Sequence, residues 1–257
     1  MPASTARRRA QPLYVIEHLE EGLEDWCRLE YCHVCSLVPP ERVLFLRFSP
    51  KLDAAGLAPP GSSPPRSSPE SLESEAARSL LPDWERICLL DMAAEEALQP
   101  EDDAKFDAFV FGGILGNIIE REDGTYGSDD RTAELRKLGF SHRRHLGPMQ
   151  MTTDTAVLVS RMVLEEARPL AEIPFIDSPE IGGSASSTAA PAAEDADVEL
   201  VESDGKGEEA GAADCVCMEG FRYVARRGAD GDWEPTLPEG MKELLMSSAD
   251  DDILGSL

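Results

Sequence analysis

The sequence predicts an α/β protein built around a mostly parallel sheet with helices on both faces. Three observations support this prediction: short apolar runs of strand length recur along the chain, segments with helical spacing separate most of them, and glycine-rich turns follow two of them. Parallel neighbours need long crossover connections, which helices usually provide. A chain of 257 residues, 42% of them hydrophobic, is large enough for one such domain.

The first predicted elements follow directly from the pattern of apolar residues. The apolar run from Leu13 to Ile16 suits a buried strand. Residues 20–38 carry apolar side chains at helical spacing, which predicts a helix. Residues 42–48 are mainly apolar again and predict the second strand.

The same two patterns, apolar runs of about four residues and longer stretches of helical spacing, predict the remaining elements. They are a helix at 70–81, strands at 87–90 and 108–111, a short helix at 130–138, a strand at 142–146, a helix at 152–167 and a final strand at 173–176.

Four segments are predicted to lie outside the core. Residues 49–69 contain six prolines and predict a flexible loop. Residues 182–219 are rich in Ala, Gly and Ser, with ten acidic residues, and are too polar to offset the entropy of ordering. The ends are a disordered basic N-terminus, 1–12, and an acidic tail, 246–257. A single domain at 13–245 remains, interrupted by the two insertions.

The charge balance narrows the possible partners. Fifty acidic and 24 basic residues give a net charge of −26, which repels nucleic acid and favours a basic partner. No apolar stretch approaches the roughly 20 residues that span a bilayer, so no membrane association is expected. Six cysteines without an export signal indicate a reducing, cytoplasmic location.

The first candidate binding motif follows the strand at 108–111. The sequence Phe109-Val-Phe-Gly-Gly-Ile-Leu-Gly-Asn117 places three glycines in one turn. Glycine lets a ligand approach the backbone, and ligands of open α/β sheets lie at the carboxyl ends of the strands. The spacing matches neither a dinucleotide nor a phosphate-binding fingerprint. The motif alone is equally compatible with a ligand loop and with a plain tight turn.

The second candidate motif is Leu146-Gly-Pro-Met-Gln-Met-Thr-Thr-Asp-Thr-Ala156, in which a strand again enters a glycine turn and then a helix. Thr152 or Thr153 is a suitable N-cap, with Asp154 and Thr155 in the first turn, so the threonines are also explained by capping alone. Two glycine-bearing loops at strand ends favour a cleft between them.

Three glutamates mark the end of the first strand, Glu17, Glu20 and Glu21. Their position suits either the favourable placement of carboxylates at a helix N-terminus or an anionic pocket for a cationic group.

Two further clusters carry weaker signals. Cys32, His33 and Cys35 have no second Cys/His pair at a zinc spacing, so free thiols and no metal are expected. Basic residues between Arg136 and His145 form a possible site for a polyanion, although such residues more often decorate an exposed surface.

Nine segments in this order give the sequence its family likeness. The most specific are Tyr14-Val-Ile-Glu-His-Leu-Glu-Glu-Gly22, Gly112-Gly-Ile-Leu-Gly116, Asp130-Arg-Thr132, Met149-Gln-Met-Thr-Thr-Asp-Thr-Ala156 and Leu237-Pro-Glu-Gly-Met241. The series resembles a fungal SPOUT-class methyltransferase family that modifies an arginine of a small-subunit ribosomal protein, and it covers about 13–181 and 219–245.

The resemblance implies a SPOUT-type parallel sheet with a C-terminal trefoil knot, a rare chain topology. It also implies that S-adenosyl-L-methionine binds in the knot between the two glycine-bearing loops. The cofactor contacts expected on this basis are Gly112, Gly113, Ile114, Leu115, Gly116, Leu146, Gly147, Met149, Met151, Thr152, Thr153 and Thr155, with Arg131 pairing with the cofactor carboxylate.

An arginine substrate requires carboxylates, because its guanidinium stays protonated and must be oriented and relieved of a proton. The hypothesis assigns this work to Glu17, Glu20 and Glu21 at the mouth and to Asp130 or Asp154 near the methyl group. The chain departs from the family after Gly116, where Asn117 replaces an aspartate, and in the length of the 182–219 insertion.

The expected partner is a basic protein, which the resemblance implies is a small-subunit ribosomal protein. The expected state is a monomer. Two alternatives remain open at this point. An RNA methyltransferase would use the Arg136–His145 cluster, but removing the nine net negative charges of 182–219 from −26 still leaves −17. A non-catalytic acidic module could instead bind a basic ribosomal protein.

Overall fold

The structure is a computed structural model that describes residues 11–113, 118–120, 126–128, 132–182 and 215–249. Its strands are β1 Leu13–His18, β2 Val43–Leu46, β3 Arg66–Ser67, β4 Ile87–Leu90, β5 Ala108–Gly113, β6 Ile118–Glu120, β7 Tyr126–Ser128, β8 His142–Arg144, β9 Phe175–Asp177, β10 Glu180–Gly182, β11 Cys215–Cys217, β12 Arg222–Arg227 and β13 Trp233–Pro235. Its α-helices are α1 Asp25–Leu37, α2 Glu75–Arg78, α3 Asp102–Lys105, α4 Thr132–Arg136, α5 Thr153–Glu165 and α6 Met241–Ala249.

The predicted parallel sheet is confirmed and has six strands in the order β3-β2-β1-β5-β4-β8. Every neighbouring pair in it is parallel. Because all six strands run the same way, their carboxyl ends meet at one edge of the sheet. The central pair, β1 and β5, reaches that edge with Glu17 opposite Gly112 and His18 opposite Gly113.

Alternate residues of the strands enter two separate apolar clusters, one on each face. Tyr14 and Ile16 of β1 pack with α1 and α5, whereas Val15 between them packs with α2 and α4. The strand side chains are buried on both faces, as the continuous apolar runs of the sequence predict. The interleaving of helices and strands therefore produces a three-layer α/β arrangement.

The C-terminal part forms a second, antiparallel sheet, β9-β12-β13, beside the hairpin-like pair β10 and β11. The predicted final strand at 173–176 was therefore wrong in two respects: it starts at Phe175, and it pairs with β12 outside the parallel sheet. A third apolar cluster joins these strands to α6.

The boundaries of the predicted insertions also change. Residues 215–219, expected to belong to the acidic insertion, contribute β11, whose Val216 is buried. Gly182 pairs with Cys215, so the two ends of the insertion lie side by side, and residues 183–214 are outside the described part. The predicted tail at 246–257 begins too early, because α6 continues to Ala249.

The proline-rich segment at 49–69 is less detached than predicted. Leu57, in a short 3-10 turn, is buried in the same apolar cluster as α1. Arg66 and Ser67 form β3, which pairs with β2 at the edge of the sheet. The prolines shorten this edge strand but do not keep the segment out of the core.

Two helices differ from the predictions in where they begin or end. The first helix begins at Asp25, and the preceding turn contains Glu20 and Glu21. The helix expected at 70–81 is reduced to α2, whose N-cap Ser74 accepts the N–H of Ala77 at 3.0 Å. In the part of the chain that the structure describes, the helices are all too short or too polar to cross a membrane.

Candidate functional site

The candidate site lies at the carboxyl edge of β1 and β5. From β1 the chain continues towards β2 and β3, whereas β5 is followed by elements on the β4 and β8 side. The chain therefore changes direction across the sheet between β1 and β5, where open α/β sheets commonly bind ligands. The end residues of these strands and the start of α5 form the site.

Gly113 allows β5 to pack tightly at this edge. A Cβ atom at Gly113 would lie 2.6 Å from the hydroxyl oxygen of Tyr31 and 2.7 Å from the backbone oxygen of Glu17. A Cβ at Gly112 would meet nothing closer than Thr132 Oγ1 at 3.7 Å. Packing thus requires glycine at 113, while the backbone at 112 faces more open space.

His18 fixes the turn that follows β1. Its Nε2 lies 2.9 Å from the carbonyl oxygen of Gly22, and its Nδ1 lies 3.0 Å from the hydroxyl of Tyr31. A carbonyl only accepts, so Nε2 carries the proton and donates to Gly22. Burial lowers the pKa of His18, which keeps the ring neutral and leaves Nδ1 to accept from Tyr31.

Glu17 is buried on the opposite face of the sheet from Tyr31. Both carboxylate oxygens lie 3.3 Å from the backbone N–H of Leu72, which donates to them. Burial raises the pKa of Glu17 to about 7, although this hydrogen bond and the charge of Arg47 act in the other direction. The carboxyl group can therefore exchange a proton near neutral pH.

The other two glutamates of the acidic opening lie in the turn between β1 and α1. Glu20 is half-buried and Glu21 is exposed. Their predicted place at the mouth of the site therefore stays a prediction.

The first turn of α5 carries the threonines of the second motif. Its N-cap, Thr152, donates its hydroxyl proton to Thr155 Oγ1 at 2.7 Å and makes no capping bond of its own. Instead Glu30 of α1 accepts the N–H of Thr153 at 3.1 Å. Thr152 therefore occupies the predicted N-cap position, but the hydrogen bond to the first turn comes from a carboxylate of another helix.

Thr153 also joins the two glycine-bearing loops. Its Oγ1 lies 3.5 Å from the carbonyl oxygen of Gly112. The second loop follows β8, which is at the edge of the sheet beyond β4. The residues after β8 therefore pass the end of β4 to reach β5.

Asp154 is fully buried next to this contact. Its Oδ2 accepts a hydrogen bond from His33 Nδ1 at 2.7 Å, and its Oδ1 has no hydrogen-bond partner among the described residues. Burial, together with the nearby Asp154, raises the pKa of Glu30 to about 8. The same two carboxyl groups act on Tyr223 of β12. Burial and the charges of Asp154 and Glu30 hold its pKa well above the ordinary value.

The loop from Leu146 to Met151 combines a glycine turn with apolar side chains. Gly147 has a φ of 116°, a left-handed conformation that favours glycine, and its N–H donates to His145 Nδ1 at 3.1 Å. Leu146 and Met151 are half-buried against the apolar cluster of α1 and α5, and Met149 is also half-buried. The loop therefore offers both polar backbone and an apolar surface.

Five predicted site residues fall outside the described part of the chain. They are Ile114, Leu115, Gly116, Asp130 and Arg131.

The basic cluster considered for RNA is largely neutralised by neighbouring carboxylates. Arg136 and Arg143 each form an ion pair with the buried Asp91 at 2.9 Å. Arg144 pairs with Asp102 and with Glu96, both at 2.9 Å. The cluster holds β8 in place and does not form the positive track that binding to a phosphate backbone requires.

Sequence reasoning missed Glu30, His33 and Tyr223. The signal for Glu30 was present, because it occupies a position one turn from Cys27 and Val34 on the apolar stripe of α1, where a charged residue is unusual. No local pattern linked His33 or Tyr223 to Asp154, because these contacts join residues far apart in the sequence.

Within the described ranges, no group of three or more His, Cys, Asp or Glu side chains could hold a metal ion. The six cysteines are free thiols, with Cys27, Cys35 and Cys88 buried.

Comparison with known proteins agrees with this architecture over nearly the whole chain. Residues 13–252 match the family described as protein arginine N-methyltransferase SFM1-like. The chain is 32% identical to protein arginine N-methyltransferase SFM1 of Saccharomyces cerevisiae over 240 residues, which cover 90% of this chain and 93% of the yeast protein.

Two solved structures of the yeast enzyme are also similar. The complex with SAM has a TM-score of 0.66 at 29% identity and covers 95% of this chain and 93% of the yeast chain. The complex with SAH has a TM-score of 0.62 at 30% identity and covers 91% and 94%. With this match in sequence and in fold, the chain belongs to the SFM1-like family of protein arginine N-methyltransferases.

Proposed function

We propose that this protein transfers a methyl group from S-adenosylmethionine to an arginine side chain of a basic protein. The observation that carries the proposal is the match of 95% of the chain to a yeast arginine methyltransferase bound to SAM. The candidate site supports the proposal independently, because the two glycine-bearing loops meet beside the buried carboxyl groups of Asp154 and Glu30.

The residues at the carboxyl edge suit the proposed cofactor. Gly112 and Gly147 carry no side chain that would keep a ligand from the two loops, while Leu146, Met149 and Met151 can cover the purine. The full set proposed to hold the cofactor is Gly112, Gly113, Ile114, Leu115, Gly116, Arg131, Leu146, Gly147, Met149, Met151, Thr152, Thr153 and Thr155. When bound, S-adenosylmethionine supplies an electrophilic methyl group on a sulfonium.

The chain's own contribution is to hold and orient the guanidinium. In-line displacement needs the attacking nitrogen about 3–3.5 Å from the methyl carbon and aligned with the breaking bond. Asp154 Oδ1 is a buried carboxylate oxygen that a guanidinium N–H can satisfy, and carboxylates bind this group in a fixed geometry. We assign the orientation of the guanidinium to Asp154, with Asp130 as a further candidate.

A proton must also leave the guanidinium when the new N–C bond forms. Glu17 is proposed as the acceptor because burial raises its pKa to about 7; it lies on the face of the sheet opposite α1, so the proton has to pass around the end of β1 to reach it. Glu20 and Glu21 attract the cationic substrate at the mouth.

The substrate is proposed to be a basic ribosomal protein of the small subunit, modified in the cytoplasm by a monomeric enzyme. The net charge of −26 favours a cationic protein over RNA, and the pairing of Arg136, Arg143 and Arg144 with carboxylates adds to this preference.

The C-terminal part of the fold is proposed to be a trefoil knot. The return of the chain from β8 across β4 to Gly112 supports this topology. A crystal structure that traces residues 112–153 without a break would test it, and an unthreaded path would contradict it.

The function is tested by incubating the purified protein with labelled methyl donor and separated ribosomal proteins or rRNA. We expect label on an arginine of a basic protein fraction. Asp154→Asn should lower kcat by about 100-fold, whereas the exposed Asp25→Asn should not. Label confined to rRNA, or no label in any fraction, would overturn the proposal.

A further inference from the structure

Asp154 is held by α1 through its other oxygen, and this contact suggests a role for residues outside the predicted site. His33 Nδ1 donates to Asp154 Oδ2 at 2.7 Å across the interface between α1 and α5. The His33 side chain is only 14% exposed and that of Asp154 only 1%. A single buried hydrogen bond therefore sets the plane of this carboxylate, and with it the direction of Oδ1.

A buried carboxylate oxygen without a partner is costly, and such groups are rare outside functional sites. Asp154 Oδ1 is in this position among the described residues, although the same carboxylate makes a short bond through Oδ2. The arrangement is that of an acceptor kept ready for a donor.

Glu30, one turn before His33 on α1, fixes the same turn of α5 from the other side. Its Oε2 accepts the N–H of Thr153 at 3.1 Å, and its Oε1 accepts Trp26 Nε1 at 2.5 Å. Glu30 is buried beside Asp154, so the two carboxyl groups share one low-dielectric region in which a single negative charge is favoured.

We infer that Glu30 and His33 are positioning residues: Glu30 holds the first turn of α5, and His33 fixes the Asp154 carboxylate so that Oδ1 faces an incoming guanidinium N–H. The inference rests on the proposed arginine methylation. The titratable groups around Asp154 are Glu30 and His33 on α1 and Tyr223 on β12. Burial and the charge of Asp154 raise the pKa of Glu30.

The test compares two substitutions of His33 in the full-length protein. His33→Leu removes the donor, while His33→Asn keeps an N–H near the position of Nδ1. We expect His33→Leu to lower kcat by about 10- to 100-fold with the affinity for S-adenosylmethionine, measured by calorimetry, changed less than about threefold.

His33→Asn should recover most of the lost kcat. Arg28→Leu, which places leucine on the exposed side of α1, is the matched control and should behave as wild type. A wild-type kcat in His33→Leu would overturn the inference. So would an equal loss of kcat in both His33 variants accompanied by lost cofactor binding, which would indicate a purely structural role. Failure of the wild-type protein to methylate any protein would instead contradict the proposed function.

Discussion

Gly113 shows at the scale of one residue how tightly the site edge is packed. Gly113→Ala places a Cβ 2.7 Å from a backbone oxygen of Glu17, which cannot move without distorting β1. We expect the free energy of unfolding to fall by about 1–3 kcal/mol, as in other overpacked sites. Urea denaturation would measure it. Gly112→Ala, with its nearest contact at 3.7 Å, is the control and should cost less than about 1 kcal/mol; equal losses would contradict the explanation.

Glu17 gives a prediction for pH dependence. Burial raises its pKa to about 7, against 4.5 for an ordinary glutamate, so the folded state binds the proton more tightly. Its contribution to stability is present at low pH and is lost as the pH rises through about 7. Glu17→Gln should therefore stabilise the fold by about 1–3 kcal/mol at pH 8 and have little effect at pH 5.

Denaturation of wild type and Glu17→Gln at both pH values provides the measurement. A stability difference that is the same at pH 5 and pH 8 would show that Glu17 is not titrating in this range. Glu21→Gln, a change at an exposed position of the same turn, should show no such dependence.

The residue scale also shows what the sequence could provide. The motif at 149–156 pointed to Asp154 and the threonines, and the structure places Thr153 beside Gly112. The burial of Glu17 and its contact with Leu72 join segments 55 residues apart, and so no local pattern could predict that its pKa is raised.

At the scale of elements, β8 depends on an ion pair with α3. Arg144 Nε donates to the buried Asp102 at 2.9 Å, and Lys105 donates to the other oxygen. Burial alone would raise the pKa of Asp102, but these hydrogen bonds hold it below its ordinary value. The pair contributes stability above the pKa of an unfolded aspartate, and this contribution is lost as the pH falls through the lowered folded value.

Asp102→Asn should therefore cost about 3 kcal/mol at pH 7, because Arg144 loses its buried charge partner and keeps only the exposed Glu96. The difference from wild type should shrink at pH 3. Unfolding in urea at the two pH values would test this expectation, with the exposed Glu101→Gln as the control. A full difference that persists at pH 3 would rule out the charge pair as the cause.

Elements were predictable where burial is uniform and less so where tertiary contacts decide. The strand at 87–90 matches its apolar run, and the helix predicted at 152–167 differs from α5 by only one residue at the start and two at the end. The strand near 175 was assigned to the wrong sheet because its partner, β12, lies beyond the acidic insertion. Pairing across such a distance leaves no trace in a local pattern.

At the scale of the molecule, the pairing of β10 with β11 predicts that the segment between them is dispensable for folding. Gly182 and Cys215 are direct partners, which an Asn-Gly turn can join in place of residues 183–214. We expect the shortened protein to fold, with a change in unfolding free energy below about 2 kcal/mol and unchanged affinity for S-adenosylmethionine. Loss of the folded state in circular dichroism would contradict this prediction.

The ion pairs of Arg136, Arg143 and Arg144 have a consequence for how the protein meets its partner. These arginines are engaged with Asp91, Glu96 and Asp102, so they contribute little outward field against the acidic surface. Encounter with a cationic protein should accordingly be accelerated by long-range attraction, and the association rate constant should fall steeply as ionic strength rises. The ion pairs that hold β8 at the edge of the parallel sheet thus also neutralise its positive charge, and we expect negative charge to guide the approaching substrate.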